Sequence, residues 1–262
     1  MALSASYVYT VSERGLLIPE ALHSIKSLRR YVDKKDVIVF LTPPTSKSKH
    51  KQLSLLATVE EVDNLSNPFV FKRERGLGRY GEKVHLCDVQ SSVVVFLDAD
   101  TTVKKDLVPL LEGDFDFSAR EQFPTREEAI KELDEEVWHD IFRKRGKESV
   151  PMPSAGFMIF KNFLHSRIKE QWLRYINDEN LPNACRYCNP KEQTALALTL
   201  SGTKIKWLTV KEHAFRWLNE ENIDTYVLHG SSFLFGRLDS VKHILPVRLR
   251  RHTRILINKF TK

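Results

Sequence analysis

The chain has few cysteines and no long apolar run. Its three cysteines are Cys87, Cys185 and Cys188, and an odd number of this size argues against a disulfide framework and for a reducing compartment. We interpret Cys185 and Cys188 as two incidental thiols, because a structural zinc site needs a second such pair. No uncharged apolar stretch approaches the roughly 20 residues that span a bilayer. Residues 1–6 carry no positive leader, so we expect no secretory signal and a cytoplasmic protein.

The composition is that of an ordinary globular protein. Internal repeats, low-complexity segments and flexible linkers are all missing from the 262 residues, a length that suits one large α/β domain. The formal net charge of +7 is compatible with an anionic ligand such as a nucleotide, and equally with a basic surface that binds nothing. We expect no nucleic-acid partner.

Strand-like and helix-like segments alternate, which predicts an α/β fold with a mostly parallel central sheet flanked by helices and a Rossmann-like N-terminal half. The predicted strands are residues 7–11, 36–41, 69–71, 93–97, 154–160, 204–208 and 226–228. The predicted helices are residues 19–31, 52–57, 80–89, 126–145, 162–176 and 191–200, with the charge-dense 126–145 segment predicted to be an exposed helix.

Two carboxylates follow the apolar strand at residues 93–97. Asp98 and Asp100 stand where that strand should leave the sheet, and ligands collect at the carboxyl ends of strands in open α/β sheets. Neighbouring carboxylates repel each other unless a cation or strong donors neutralise them, so we predict a divalent metal. The spacing alone does not decide this, because Asp114 and Asp116 repeat it. We interpret that second pair as a solvated turn that enters a strand.

The blocks around this strand resemble the GT-A-fold glycosyltransferases, in particular the glycogenin and galactosyltransferase-like (family 8-like) group. The carrying motifs are VVVFLDADT, Glu82-Lys83-Val84-His85-Leu86, Ser154-Ala155-Gly156-Phe157, Glu192-Gln193 and VLHG with His229. This resemblance implies one GT-A-like domain over residues 1–240, with a nucleotide-binding half (1–103) and an acceptor half (104–240). It also implies transfer of a sugar, with retention, from a nucleoside diphosphate sugar, for which UDP is favoured.

The resemblance assigns roles to individual residues. It implies that Asp98, Asp100 and His229 bind Mn²⁺ or Mg²⁺, which as a Lewis acid would stabilise the departing diphosphate. Glu192 and Gln193 would lie close to the transferred sugar. The other donor-binding residues would be Tyr7, Tyr9 and Thr10 at the base and ribose, Lys83 and Arg79 at the diphosphate, and Asp98, Ala99, Ser154, Ala155, Gly156, Gly230 and Arg237 along the donor site.

Several of these residues also have a purely structural interpretation. Lys83 is equally well explained as a solvated helix residue, His229 as a hydrogen-bonded histidine, and Gly156 as a glycine that permits close strand packing. Arg237 is assigned only as a substitute, since the lysine-proline-tryptophan that usually follows the histidine in the group is missing here.

Three other functions compete for the same residues. In a haloacid-dehalogenase-like phosphatase, residues 98–103 would form D-x-D-x-[TV], with Asp98 as the nucleophile and Asp100 as general acid and base. Three predicted strands precede this motif, and no later apolar run ends in paired acids, both of which argue against that class. A non-catalytic nucleotide- or carbohydrate-binding module is the second alternative. A nucleotidyltransferase would need a glycine-rich basic loop where residues 12–15 read SERG.

The last segment, residues 241–262, mixes apolar residues with basic ones. It fits either a helix packed on the domain or a peripheral contact with an anionic membrane. The resemblance implies two partners, a nucleotide-sugar donor and an acceptor hydroxyl on a glycan, protein or lipid-linked molecule. If the tail contacts a membrane, the membrane surface is a third partner. The basic residues are Lys242, Arg248, Arg250, Arg251, Arg254 and Lys259.

Overall fold

The structure, a computed structural model, describes residues 5–12, 17–43, 45–63, 65, 80–186 and 191–230. Its strands are β1 (Ala5–Ser12), β2 (Val37–Thr42), β3 (Thr58–Glu61), β4 (Val93–Leu97), β5 (Thr101–Val103), β6 (Phe117–Glu121), β7 (Pro153–Phe160), β8 (Ile205–Trp207), β9 (His213–Phe215) and β10 (Val227–His229). Its α-helices are α1 (Leu17–Leu28), α2 (Lys47–Ser54), α3 (Arg126–Glu132), α4 (Glu135–Arg143), α5 (Leu164–Ile176) and α6 (Lys191–Leu200).

Seven strands form one sheet in the order β3-β2-β1-β4-β7-β6-β8. The pairs β2–β3, β1–β2, β1–β4 and β6–β8 are parallel, while β7 runs antiparallel to both of its neighbours. The sheet is thus mostly parallel with a single reversed strand, and helices flank it. The predicted α/β fold class is confirmed.

The central strand β4 is buried on both faces, as its unbroken VVVFL sequence predicts. Val94 and Phe96 enter a core cluster that includes α5 and α6, whereas Val93, Val95 and Leu97 enter a second cluster that includes α1. Because both faces are covered, ligands can approach β4 only at its end. Asp98 directly follows that end of β4, and Asp100 comes two residues later.

A second, three-stranded sheet has the order β5-β10-β9 and adjoins that end. Strand β10 is antiparallel to β5, and their register sets His229 opposite Thr101. Strand β9 is parallel to β10 and pairs Phe215 with His229. This small sheet carries residues from late in the chain to the end of β4.

Some predicted elements differ from the structure. The predicted strand at 69–71 and the tail 241–262 lie outside the described residues, and the described chain also has a strand, β3, that was not predicted. The charged segment 126–145 contains two helices, and the prediction of an exposed helix was wrong because α4 buries Trp138, Ile141 and Phe142. The helix predicted at 52–57 begins and ends earlier, as α2. Residues 80–88 form a 3-10 helix.

Three further observations bear on the sequence predictions. Asp114 pairs with Lys204 and Asp116 accepts a hydrogen bond from Asn162 just before β6, so the interpretation as a turn is confirmed. Cys87 and Cys185 are free thiols, and Cys188 lies outside the described residues. Within the described part of the chain, no helix has the length and apolarity needed to cross a membrane.

Candidate active site

Asp98, Asp100 and His229 form a compact cluster at the carboxyl end of β4. One ligand atom from each residue lies within 4.8 Å of the others. Nε2 of His229 is 3.3 Å from Oδ1 of Asp100 and 3.8 Å from Oδ2 of Asp98. The two carboxylates are 26 and 27% exposed, which leaves them open to a ligand, whereas the histidine is nearly enclosed.

Backbone hydrogen bonds hold the turn between β4 and β5 in place. The N–H of Thr101 and its hydroxyl both donate to the carbonyl of Asp98, at 3.2 and 2.8 Å. The N–H of Gly230 donates to the carbonyl of Asp100 at 3.0 Å, which fastens the end of β10 to the same turn. Gly230 has φ of +81°, a conformation that favours glycine. The turn that carries the two aspartates and strand β10, which carries His229, are therefore held together by backbone hydrogen bonds.

Gly156 on β7 lets the ring of His229 approach the sheet. A Cβ placed on Gly156 would lie 1.9 Å from Cε1 of His229, a distance that no side chain tolerates. The carbonyl of Gly156 also accepts a hydrogen bond of 2.8 Å from the N–H of Asp98. The sequence left Gly156 open as a donor-site residue or as a glycine that permits close strand packing. The structure shows close packing against the imidazole of His229, and the role at the donor stays a prediction.

Lys83 links Asp98 to Glu192. Its ammonium lies 3.0 Å from Oδ1 of Asp98, 3.1 Å from Oε1 of Glu192 and 3.0 Å from the carbonyl oxygen of Ala155. The ammonium donates hydrogen bonds to Oδ2 of Asp98 at 3.2 Å and to the carbonyl of Ala155, and it faces Glu192 as an ion pair. The role predicted for Lys83 at a diphosphate stays a prediction, while the geometry gives it the task of orienting Asp98.

The electrostatics of this buried group follow from burial and pairing. Burial raises the pKa of Glu192 to about 7, against the opposing effect of Lys83. Burial works against the charged forms of Lys83 and His229, yet the neighbouring carboxylates raise both pKa values: Asp98 and Glu192 act on Lys83, and Asp100 acts on His229. The neighbouring carboxylates thus favour the protonated forms of Lys83 and His229 against the effect of burial.

Gln193 lies on the side of Glu192 that faces β6 and β7. Its Nε2 donates to the side-chain oxygen of Gln122 at 2.8 Å and to the carbonyl of Pro153 at 3.1 Å. Gln122 was not predicted, because a glutamine that follows a strand gives no distinguishing signal in the sequence. The pair fixes the orientation of the Gln193 amide.

The residues predicted to contact the nucleotide are not all brought to the cluster. Tyr9 is fully enclosed in the core with its hydroxyl 3.0 Å from Ser24, and Tyr7 is 3% exposed in the same cluster. Alternation along β1 sets half-buried Thr10 on the opposite face, with Val8. Ser154 and Ala155 lead directly into Gly156, Ala99 is buried between the two aspartates, and Arg79 and Arg237 lie outside the described residues.

Aromatic rings that were not predicted as site residues surround His229. His213 stacks on it with ring centroids 5.5 Å apart, and Trp217 meets it edge to face at 5.0 Å. Burial holds the pKa of His213 well below its usual value, so this neighbouring ring stays neutral. Strand β9, which contributes His213, is three residues long and gave no periodic signal.

The donor set of the cluster fits a divalent cation such as Mn²⁺ or Mg²⁺. Carboxylate oxygens with one imidazole suit these ions better than metals that prefer thiolates. Nδ1 of His229 is buried and has no hydrogen-bond partner among the described residues, so the ring is held by packing. Its Nε2 faces both carboxylates and would complete the set.

Comparison with known proteins addresses the fold. No protein-family model matches the chain, and no curated protein matches it. Its structure is similar to galactosyltransferase LgtC in complex with donor and acceptor sugar analogues, with a TM-score of 0.59 and 13% identity over 94% of this chain and 99% of LgtC. The chain has the GT-A fold. The predicted resemblance to GT-A-fold glycosyltransferases is thereby confirmed.

Two further GT-A neighbours are longer proteins. The apo form of glycosyltransferase GlyE from Streptococcus pneumoniae TIGR4 has a TM-score of 0.55 and 14% identity over 88% of this chain and 55% of GlyE. The bifunctional glycosyltransferase WbbM has a TM-score of 0.53 and 15% identity over 87% of this chain and 46% of WbbM. The chain spans about half the length of each.

Proposed function

We propose that the protein is a metal-dependent glycosyltransferase that moves a sugar from a nucleoside diphosphate sugar, UDP-sugar in the first instance, to an acceptor hydroxyl. The observation that carries the proposal is the Asp98–Asp100–His229 cluster at the end of the central strand of a GT-A fold. Two carboxylates and an imidazole at that edge are the ligands expected for a cation that accompanies a diphosphate.

The roles proposed for the surrounding residues follow from their contacts. Lys83 keeps Asp98 oriented through its ion pairs, and Gly156 admits the ring of His229. A bound cation would supply Lewis-acid stabilisation of the charge that develops on the leaving diphosphate. Glu192 and Gln193, held by Lys83 and Gln122, would border the transferred sugar. A structure of LgtC also exists for an active-site mutant in which glutamate replaces a glutamine. A glutamine in the active site of this neighbour supports the role proposed for Gln193.

The finer parts of the proposal rest on the resemblance. They are Mn²⁺ or Mg²⁺ as the ion, retention of the anomeric configuration, and the division into a nucleotide-binding half (1–103) and an acceptor half (104–240). A cytoplasmic location and an acceptor among glycans, proteins or lipid-linked molecules belong to the same proposal.

The test compares the Asp98/Asp100 pair with the Asp114/Asp116 pair, which has the same spacing in the sequence. We expect Mn²⁺ plus one of a panel of UDP-, GDP- and dTDP-sugars to stabilise the protein by about 2.7 kcal/mol at a ligand concentration of 100 Kd, which is a shift in Tm of about 5–10 °C. Asp100→Asn should abolish this shift, because an amide is a poorer cation ligand than a carboxylate. The matched variant Asp116→Asn, in the exposed turn before β6, should keep it.

Two results of this thermal-shift experiment would contradict the proposal. One is a wild-type protein that no nucleotide sugar stabilises with Mn²⁺. The other is an Asp100→Asn variant that responds as strongly as Asp116→Asn does. Release of free sugar from the stabilising donor, with the same metal dependence, would exclude a module that binds without catalysis.

A further inference from the structure

Three flat side chains form a stack beside the metal-ligand cluster. The guanidinium of Arg120 lies 4.4 Å from the ring centroid of Phe215, and the rings of Phe215 and Trp217 stack with centroids 4.4 Å apart and an angle of 14°. Phe215 is fully buried, whereas Trp217 is 47% exposed. The stack thus begins inside the protein and ends in an accessible indole.

The inner end of this stack is firmly held. Arg120 binds both carboxylate oxygens of Glu220, at 2.5 and 2.7 Å, and donates to the carbonyl of His213 at 2.8 Å. Glu220 in turn accepts the N–H of Phe215 at 2.7 Å. A bidentate arginine–carboxylate pair has a fixed geometry, so it holds the guanidinium in place over the ring of Phe215.

The outer end of the stack touches the site. The indole of Trp217 meets the ring of His229 edge to face at 5.0 Å and 76°, and a Cβ on Gly230 would lie 3.1 Å from it. Glu192 and Gln193 instead contact Lys83, Gln122 and Pro153. Trp217 therefore borders the Asp98–Asp100–His229 cluster through His229, whereas Glu192 borders it through Lys83.

We propose that Trp217 is the surface on which the ring of an acceptor sugar packs, so that the acceptor is a carbohydrate. This proposal rests on the proposed glycosyl transfer. A pyranose has an apolar face of C–H groups, and an indole offers a large flat apolar surface with little conformational entropy to lose. A rigid, half-exposed aromatic ring beside the reaction centre suits such a face better than it suits the single hydroxyl of a serine or an alkyl alcohol.

The experiment separates the acceptor from the donor. Steady-state transfer is measured with the stabilising donor, Mn²⁺ and a panel of acceptors: lactose, maltose, cellobiose, a serine-containing peptide and octanol. For the best disaccharide, Trp217→Ala should raise the acceptor KM about tenfold and should raise the donor KM much less. Trp217→Phe, which keeps a ring on the stack, should recover part of the loss. Trp207→Phe, on β8, serves as the control and should match wild type.

A binding readout accompanies the kinetics. Titration of the disaccharide into the Mn²⁺-loaded protein should change the tryptophan fluorescence of wild type and of Trp207→Phe, and should leave that of Trp217→Phe nearly unchanged. An acceptor KM unchanged in Trp217→Ala and Trp217→Phe would overturn the proposal while leaving glycosyl transfer intact. A donor KM that rises more than the acceptor KM, or a preference for the peptide or octanol, would overturn it as well. Absence of any metal-dependent donor cleavage would instead contradict the proposed function.

Discussion

At the scale of single residues, the contact between Gly156 and His229 determines whether the proposed cation site can form. The glycine belongs to β7, in the middle of the main sheet, and the histidine to β10, in the small sheet. The missing side chain of one residue is the space that the ring of the other fills. A side chain at position 156 should therefore displace the ring of His229 while leaving the histidine itself in the chain.

Gly156→Ala should destabilise the protein by about 1–3 kcal/mol, the usual range for an overpacked core position, and should abolish stabilisation by Mn²⁺. The free energy of unfolding is measured in urea, alone and in a His229→Ala background. With the ring removed, the added methyl group has room, so Gly156→Ala should then have a much smaller effect. Equal destabilisation in both backgrounds would show that the clash with His229 is not the cause.

His165 should make the protein less stable in acid. Burial lowers the pKa of this histidine, whose Nε2 lies 3.0 Å from the carbonyl of Val89. Below the ordinary histidine pKa of about 6.5, His165 binds a proton in the unfolded chain but not in the folded chain. The free energy of unfolding is therefore highest above that pH and decreases as the pH falls below it.

The substitution His165→Gln keeps a donor for Val89 and removes the titration. The difference in Tm between pH 7.5 and pH 5.5 should therefore be smaller in this variant than in wild type. An identical pH dependence of Tm in the two proteins would refute a role for His165.

The sequence predicted the site residues that carry an unusual chemical signal and missed those that act through packing. Paired carboxylates at a strand end, and a histidine before a glycine, stand out in any sequence. Gln122, Arg120 and Trp217 do not, because an ordinary surface offers the same residue types. Their importance comes from neighbours that are distant in the chain, which a one-dimensional pattern cannot bring together.

At the scale of elements, the same distinction separates predicted strands from missed ones. Strands β1, β2, β4 and β7 are buried and rich in β-branched or aromatic residues, and all four were predicted. The missed strand β3 reads TVEE and is a polar edge strand, and the missed strands β5 and β9 have three residues each. The equally short β8 and β10 were predicted, at 204–208 and 226–228, so length alone does not separate the two groups. Such short segments become strands because a neighbour supplies the hydrogen bonds, not because of their own composition.

Helix α3 depends on its first turn. Thr125 accepts a hydrogen bond from the N–H of Glu128, and Glu128 reaches back to the N–H of Thr125, which forms a capping box. Thr125→Ala should lower the free energy of unfolding by about 1 kcal/mol. Thr125→Ser, which keeps a hydroxyl at the N-cap, is the control and should change stability by about a few tenths of a kcal/mol. Equal effects of the two substitutions would argue against the capping box as a source of stability.

At the scale of the whole molecule, Arg120 joins the two sheets. It belongs to β6 of the large sheet, and its partners His213 and Glu220 belong to the segment that forms β9 and the turn after it. The side chains of Arg120 and Glu220 are 6 and 15% exposed, so the pair is largely removed from water. Breaking one partner leaves a buried charge unpaired, which is far more harmful than losing an exposed ion pair.

Arg120→Met should destabilise the protein by about 3–5 kcal/mol in urea unfolding. The double variant Arg120→Met/Glu220→Gln should be more stable than this single variant, because glutamine carries no charge yet still accepts the N–H of Phe215. A double variant no more stable than Arg120→Met would mean that lost packing, and not the unpaired carboxylate, is responsible.

The assembly of the Asp98–Asp100–His229 cluster from the middle and the end of the described chain has a consequence for biosynthesis. Asp98 and Asp100 are translated long before His229, and contacts between residues so far apart in sequence form late in folding. A nascent or truncated chain that ends before β10 would hold the two carboxylates and Lys83 but not the imidazole. On the proposed function, complete binding of the ion would become available only after the last described strand has joined the small sheet, and metal affinity would then report whether a given molecule has finished folding.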